Sequence, residues 1–186
     1  MDKRGIYNLF AMLFEYPDDH ILRRAIELSS HLKACSKGAW QSMETFAEKL
    51  KSYSRERLEE IYTSTFDLQP LCYPYAGYHL FGDDYRRSQF MAKLKEHYRQ
   101  KGFSFEKNEL PDHIGVILTY MGSVDEDETV LKECLLPVVE KMISLLNNSP
   151  NNPYFDLLRS LSLFLKEGKG SGDEKITETD GGNNHG

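Results

Sequence analysis

The stretch Ile6–Phe14, IYNLFAMLF, decides the fold. Ile6, Leu9, Phe10, Leu13 and Phe14 recur at i, i+3, i+4, i+7 and i+8, which lines one stripe of an α-helix rather than one face of a strand. Tyr7, Asn8 and Glu15 interrupt the apolar run and no small-residue cleavage site follows, so the segment reads as a retained helix rather than a leader, ended by Pro17.

The same period repeats outward from it. Asp18 or Asp19 is placed to cap a second helix carrying Ile21, Leu22, Ala25, Ile26 and Leu32. A third begins near Ala39 with Trp40, Met43, Ala47 and Leu50, and Ser54 caps a fourth with Leu58, Ile61, Tyr62, Thr65 and Phe66. Pro70 and Pro74 then exclude a continuous helix through DLQPLCYPYAGYHLFG, the least regular ordered part of the chain. A long helix is expected from about Asp83 to Lys101, with Phe90, Met91, Leu94 and Tyr98 inward and Gly102 at its C-cap. Pro111 suits the first turn of the next, with Glu109 and Asp112 at its positive end and Ile114, Ile117, Leu118 and Met121 as its stripe. Thr129–Leu146 must kink or restart at Pro137, and Asn152 with Pro153 opens a last helix. No strand-period alternation appears. The expected fold is all-α, a single-domain bundle of about seven to nine helices over residues 1–166. Residues 167–186 hold one aliphatic side chain, Ile176, and read as a disordered acidic tail.

A chain of 186 residues buries about two thirds of its unfolded surface without staples. Cys35, Cys72 and Cys134 stand far apart with no CxxC pair, which proposes neither a disulfide framework nor a cysteine-rich zinc site and fits a reducing compartment. No apolar run approaches the ~18–20 residues that span a bilayer, so a soluble, cytoplasmic protein is expected. The formal charge is −6, and from Glu167 onward five acids against two lysines supply −3 of it, leaving −3 for the folded part. That balance argues against nucleic acid, which demands a clustered basic face, and suits an acidic groove for a basic peptide.

Six scattered histidines make no HExxH and no i, i+4 ligand pair, and neither a phosphate loop nor a GxSxG elbow occurs. Metal phosphohydrolases with a histidine–aspartate pair read in the opposite order to Asp112–His113 and need further ligands. The stretch YHLFGDDYRRSQF, Tyr78 to Phe90, leaves two readings open. Asp83 with Arg86 or Arg87, and Asp84 with Arg87, fall at helical pairing distances on a solvated surface. Alternatively, two arginines in the first turns of a helix oppose its dipole and point to a tertiary or ligand partner.

Three motifs, YxxTFD at Tyr62–Asp67, YHLFGDDYRR at Tyr78–Arg87 and ELPDH at Glu109–His113, resemble the NarJ-type family, the delta subunit of respiratory nitrate reductase. Its wider kin are the chaperones of trimethylamine oxide and dimethyl sulfoxide reductases. The resemblance runs over most of residues 1–165. It implies an all-helical, cofactor-free, non-catalytic cytoplasmic chaperone dedicated to a molybdenum enzyme. Such a chaperone binds the N-terminal segment or twin-arginine leader of the apo catalytic subunit until the molybdenum cofactor is inserted. Some members dimerise by helix exchange, so a homodimer is an open expectation. The resemblance puts Asp112 and His113 beside the peptide groove and Tyr78–Arg87 on its other side.

A guest helix would lay apolar side chains on Tyr75, Tyr78, Leu80 and Phe81, and its basic groups would meet Asp83, Asp84, Glu109 or Asp112. His79, Arg86, Arg87 and His113 complete the expected peptide-binding set, with no metal, nucleic acid or membrane partner. The alternatives are a general helical adaptor and a metal-dependent phosphohydrolase. Deleting residues 168–186 should leave the melting temperature unchanged by calorimetry, since that stretch has almost nothing to bury; a clear fall would contradict the tail assignment.

Overall fold

Asp2, in extended backbone, accepts a hydrogen bond from the Gly5 amide at 3.0 Å and starts α1 (Lys3–Leu13), whose Ile6, Leu9, Phe10 and Leu13 are all buried. The computed structural model of the chain describes residues 2–105, 109–125 and 127–167. Eight more α-helices follow: α2 (Ile21–Leu32), α3 (Lys37–Ser52), α4 (Arg55–Phe66), α5 (Ala76–Phe81), α6 (Arg86–Gln100), α7 (Ile114–Ser123), α8 (Leu136–Leu146) and α9 (Pro153–Glu167). Among the described residues there is no strand, only an isolated antiparallel bridge between Tyr75 and His113. The fold is all-α. Glu167 closes α9, and the expected disordered tail lies outside the described residues.

The core is one cluster with a helical repeat on every side. α1 packs against α2 and α7, α3 lies between α2 and α9, and α8 lies along α9. The α9 stripe of Tyr154, Leu157, Leu158, Leu161, Phe164 and Leu165 is buried throughout, as its spacing predicts. Ile26, assigned to the α2 stripe, is instead half exposed, because Leu28, two residues on and on the other side of the helix, takes the inward position.

Several boundaries differ from expectation for local reasons. α3 starts at Lys37 because the Ser36 hydroxyl accepts from the Ala39 amide at 3.1 Å, while Ser54 caps α4 as expected. Asp18 sits before α2, where its carboxylate accepts from the His20 amide and from Arg24, at 2.9–3.0 Å. α6 begins at Arg86, not Asp83, since Gly82, with φ +66°, ends the short α5 and the chain turns before restarting. Gly102, with φ +71°, stands at the expected end of α6. Pro137 neither donates nor tolerates a continuous α ladder, and Val130–Leu135 winds as a π-helical segment in which the Leu136 amide donates to the Leu131 carbonyl. Asp127 anchors that segment, accepting from the Val130 amide at 3.1 Å, from Tyr120 at 2.5 Å and from His97 at 2.6 Å.

Tyr154 packs edge-on against Phe66 at 4.8 Å and Tyr62 at 5.9 Å, yet its buried hydroxyl has no hydrogen-bond partner among the described residues. Burial pushes the phenol well above its usual range. Removing an unsatisfied buried hydroxyl relieves a desolvation penalty, so Tyr154→Phe should leave stability unchanged or raise it by up to about 1 kcal/mol in urea denaturation. A loss comparable to a cavity-forming Tyr154→Leu would contradict an orphan hydroxyl.

Candidate functional site

α5 is six residues long and Tyr75 before it supplies no side-chain cap. The missing acceptor comes from far along the chain: Asp112 Oδ2 accepts from the Gly77 amide at 3.1 Å. Two main-chain bonds reinforce this, Ala76 N–H to the Asp112 carbonyl at 2.7 Å and Ile114 N–H to the Pro74 carbonyl at 2.8 Å. The Arg87 guanidinium approaches the same carboxylate oxygen at 3.5 Å and lies 5.6 Å over the Tyr75 ring. Tyr75 donates its hydroxyl to Glu109 Oε1 at 3.2 Å, and its ring meets the edge of His113 at 5.4 Å. The motifs YHLFGDDYRR and ELPDH, distant in sequence, thus meet in one knot. Asp112 was expected at the start of α7; it caps α5 instead, and His113 caps α7 by accepting from the Gly115 amide at Nδ1, 3.1 Å away.

Beside the knot opens a cleft of about 580 Å³ lined by Phe14, Tyr16, Tyr62, Phe105, Val116 and Thr119, with Glu15, Glu109 and His113 as its ionisable groups. Tyr16 also borders an adjoining cleft of about 510 Å³, whose other walls include Leu68 and the α4 carboxylates Glu56, Glu59 and Glu60. Among the described residues no lysine or arginine lines either cleft. A third cleft, of about 780 Å³, shares Ser104, Phe105 and Glu109 with the first and runs along Lys95 and Arg99 of α6.

Only part of the expected site is drawn together here. Glu109 and His113 line the cleft, and Tyr75, Arg87 and Asp112 form the knot behind them. Asp112 is 0 % exposed, so it cannot act as the acidic rim assigned to it. Tyr78, Phe81, Asp83, Asp84 and Arg86 belong to the α5–α6 corner and line none of these three clefts. There Arg86 pairs with Asp84 at 3.0 Å and lies 5.8 Å over Phe81, and Tyr78 packs on Tyr73 at 3.9 Å. The expected pairing of Asp84 with Arg87 does not form, because the helix starts late and turns Arg87 inward to Asp112. Asp83 is exposed. His79 is buried, its Nε2 donating to the Tyr73 carbonyl at 2.6 Å, while Lys141 holds the His79 carbonyl at 2.7 Å. Phe14, Tyr16 and Phe105 were not anticipated as lining; Tyr62 lies in the YxxTFD motif, which was the available signal.

Electrostatics follow from burial. Desolvation lowers the pKa of His113, against the raising influence of Glu109 and Asp112, and accepting at Nδ1 leaves the proton on Nε2. Burial likewise lowers His79. Tyr75 is pushed up to about 12 by desolvation and then by the charge of Glu109. Among the described residues no three His, Cys, Asp or Glu side chains converge into a metal-binding group.

The family model described as nitrate reductase delta subunit matches residues 31–156, which include all three motifs. The chain belongs to the nitrate reductase delta subunit family. It is 26% identical over 167 residues to the probable nitrate reductase molybdenum cofactor assembly chaperone NarJ of Bacillus subtilis (strain 168), covering 89% of this chain and 90% of that one. It is 25% identical over 161 residues to the nitrate reductase molybdenum cofactor assembly chaperone NarJ of Escherichia coli (strain K12), covering 83% of this chain and 68% of that one. The fold is similar to the crystal structure of a candidate redox enzyme maturation protein from Archaeoglobus fulgidus, with a TM-score of 0.66 at 24% identity over 89% of this chain and 95% of that one. These delta subunit relatives carry the names of assembly chaperones, not of catalysts. Among the described residues no helix is long and apolar enough to cross a membrane.

His79 and His113 both have lowered folded pKa values, so each favours the folded state fully above its unfolded value of about 6.5 and loses that contribution as pH falls through the folded pKa. The melting temperature should therefore drop as pH falls from 7 to 5, before most carboxylates titrate, and His79→Gln with His113→Gln should flatten that slope. A slope unchanged in the double variant would contradict neutral, buried imidazoles.

Proposed function

We propose that the chain is a cytoplasmic, non-catalytic chaperone that binds the N-terminal segment of a nitrate-reductase-type molybdoenzyme catalytic subunit and keeps the apo-enzyme open for molybdenum cofactor insertion. Membership of the delta subunit family carries this reading, and the names of its Bacillus and Escherichia relatives supply the client class. The cofactor belongs to the client. What falls to this chain is to hold a peptide and let it go.

The aromatic cleft suits that task. Phe14, Tyr16, Tyr62 and Phe105 offer apolar faces to a guest helix, and Glu15 and Glu109 supply the carboxylates that would meet its cationic side chains. His113 Nε2–H adds a donor for a guest carbonyl or carboxylate. The corner formed by Tyr78, Phe81, Asp83, Asp84 and Arg86 is the second bank of the proposed peptide-binding surface, reached by a guest that extends past Tyr75. Ordering a flexible segment offsets much of the gain from burying it, so affinity is expected near the micromolar range, about −8 kcal/mol, and release requires no chemistry.

Calorimetric titration with a synthetic peptide spanning the N-terminal segment of the nitrate reductase catalytic subunit from the same organism tests this. Binding should weaken with salt, and Glu109→Gln, which keeps the acceptor for Tyr75 but removes the charge, should cost about 1 kcal/mol. Absence of binding, or binding indifferent to both salt and Glu109, would remove the proposal.

A further inference from the structure

Asp112 presents a contradiction if it is read as a contact for the client. Its side chain has no exposure, whereas its neighbours Glu109 and His113 line the cleft and it does not. Two groups from elsewhere in the chain meet its carboxylate, the Gly77 amide at 3.1 Å and the Arg87 guanidinium at 3.5 Å, both at Oδ2. Oδ1 and Arg87 Nε are buried without hydrogen-bond partners. Space at this point is closed, since a methyl group on Gly77 would lie 2.8 Å from Oδ2 and 2.9 Å from the Arg87 side chain.

We infer that Asp112 is a positioning residue, a buried brace that sets α5, Arg87 and Tyr75, and through them the cleft-facing Glu109 and His113, without ever touching the guest. Three links transmit its effect. The bridge between Tyr75 and His113 fixes the main chain on both sides of Asp112. Arg87, drawn to Oδ2, covers the Tyr75 ring, and the Tyr75 hydroxyl orients Glu109, which also accepts from the Leu110 amide at 2.8 Å. His113 follows Asp112 directly and meets the Tyr75 ring edge. Removing the carboxylate therefore disturbs every charged or donor group on this wall of the cleft, whatever the charge of the guest. A direct ion pair acts differently: its loss is felt only by a cationic guest.

The inference rests on the peptide-binding reading for its functional arm, and the test separates the two. The probes are the synthetic client peptide described above and the same peptide with its lysines and arginines replaced by glutamine. Asp112→Ala should weaken both by a similar factor, about tenfold, as for loss of a buried polar contact. Asp112→Asn, which retains an acceptor for the Gly77 amide, should recover most of the loss. Arg87→Ala should add little in the Asp112→Ala background, because coupled groups are non-additive. Gly77→Ala, which crowds the brace while leaving Asp112 in place, should reproduce the pattern and serves if Asp112→Ala fails to fold. Glu109→Gln supplies the contrast, weakening only the cationic peptide.

In guest-free protein, the His113 imidazole resonances should move in Asp112→Ala or Gly77→Ala. A loss confined to the cationic peptide, or unchanged binding with His113 resonances unmoved, overturns the brace. If the wild-type protein binds neither peptide, the chaperone reading fails by itself. The brace then stands or falls on the guest-free resonances.

Discussion

One carboxylate without solvent exposure, that of Asp112, joins two stretches of chain that lie far apart in sequence. A helix as short as α5 leaves its first amides without intrahelical partners, and a six-residue element gains little from packing alone. Asp112 satisfies the Gly77 amide at 3.1 Å and gives Arg87 a counter-charge at 3.5 Å. The energetic asymmetry of buried charge makes this a demanding arrangement: a paired carboxylate contributes modestly, but an abandoned guanidinium or amide costs several times as much. Sequence around it is constrained accordingly. Gly77 has no room for a side chain, and Tyr75 runs extended before α5 to bridge His113.

From that constraint the working surface follows. With α5 pinned, the turn preceding α7 is fixed on one side by the Tyr75 hydroxyl at Glu109 and on the other by Tyr98, whose hydroxyl donates to the Pro111 carbonyl at 3.1 Å. Glu109 and His113 then face the aromatic wall built by the end of α1 and by Tyr62 of α4, itself held by a hydroxyl bond to the Phe14 carbonyl at 3.2 Å. Both walls are positioned by part-buried side-chain hydrogen bonds, which would limit the reorganisation needed to bind the proposed guest. The two clefts that share Tyr16 are lined by Glu15, Glu109, Glu56, Glu59 and Glu60, of which Glu59 pairs with Arg55 at 2.9 Å and Glu60 with Arg57 at 2.7 Å, whereas Lys95 and the Arg99–Glu96 pair line the third.

Much of this was legible in the sequence. The repeat through Ile6–Phe14 and through α9 reports buried stripes because helix packing acts through side chains spaced at three and four, and the caps at Ser54, Gly102 and Asn152 are local chemistry. The three motifs identified the family. What escaped reading was non-local. Asp112 precedes a helix in sequence and so looks like that helix's cap, yet its side chain serves α5 instead. Arg87 follows two aspartates and looks like their partner, yet the late start of α6 turns it inward. Phe14 and Tyr16 look like the tail of one apolar stripe, and only tertiary packing makes them a wall. The π-helical turn before Pro137 was foreshadowed as a restart but not as that geometry.

The most direct measurement places a photoreactive group on an apolar position of the client peptide and maps the crosslinked residues by mass spectrometry. Crosslinks to Tyr16, Tyr62, Phe105 or Val116 are the expected result, since these form the aromatic floor beside Glu109 and His113. Crosslinks found only at Tyr73, Tyr85 and the exposed end of α5, with none in the cleft, would contradict a guest held there.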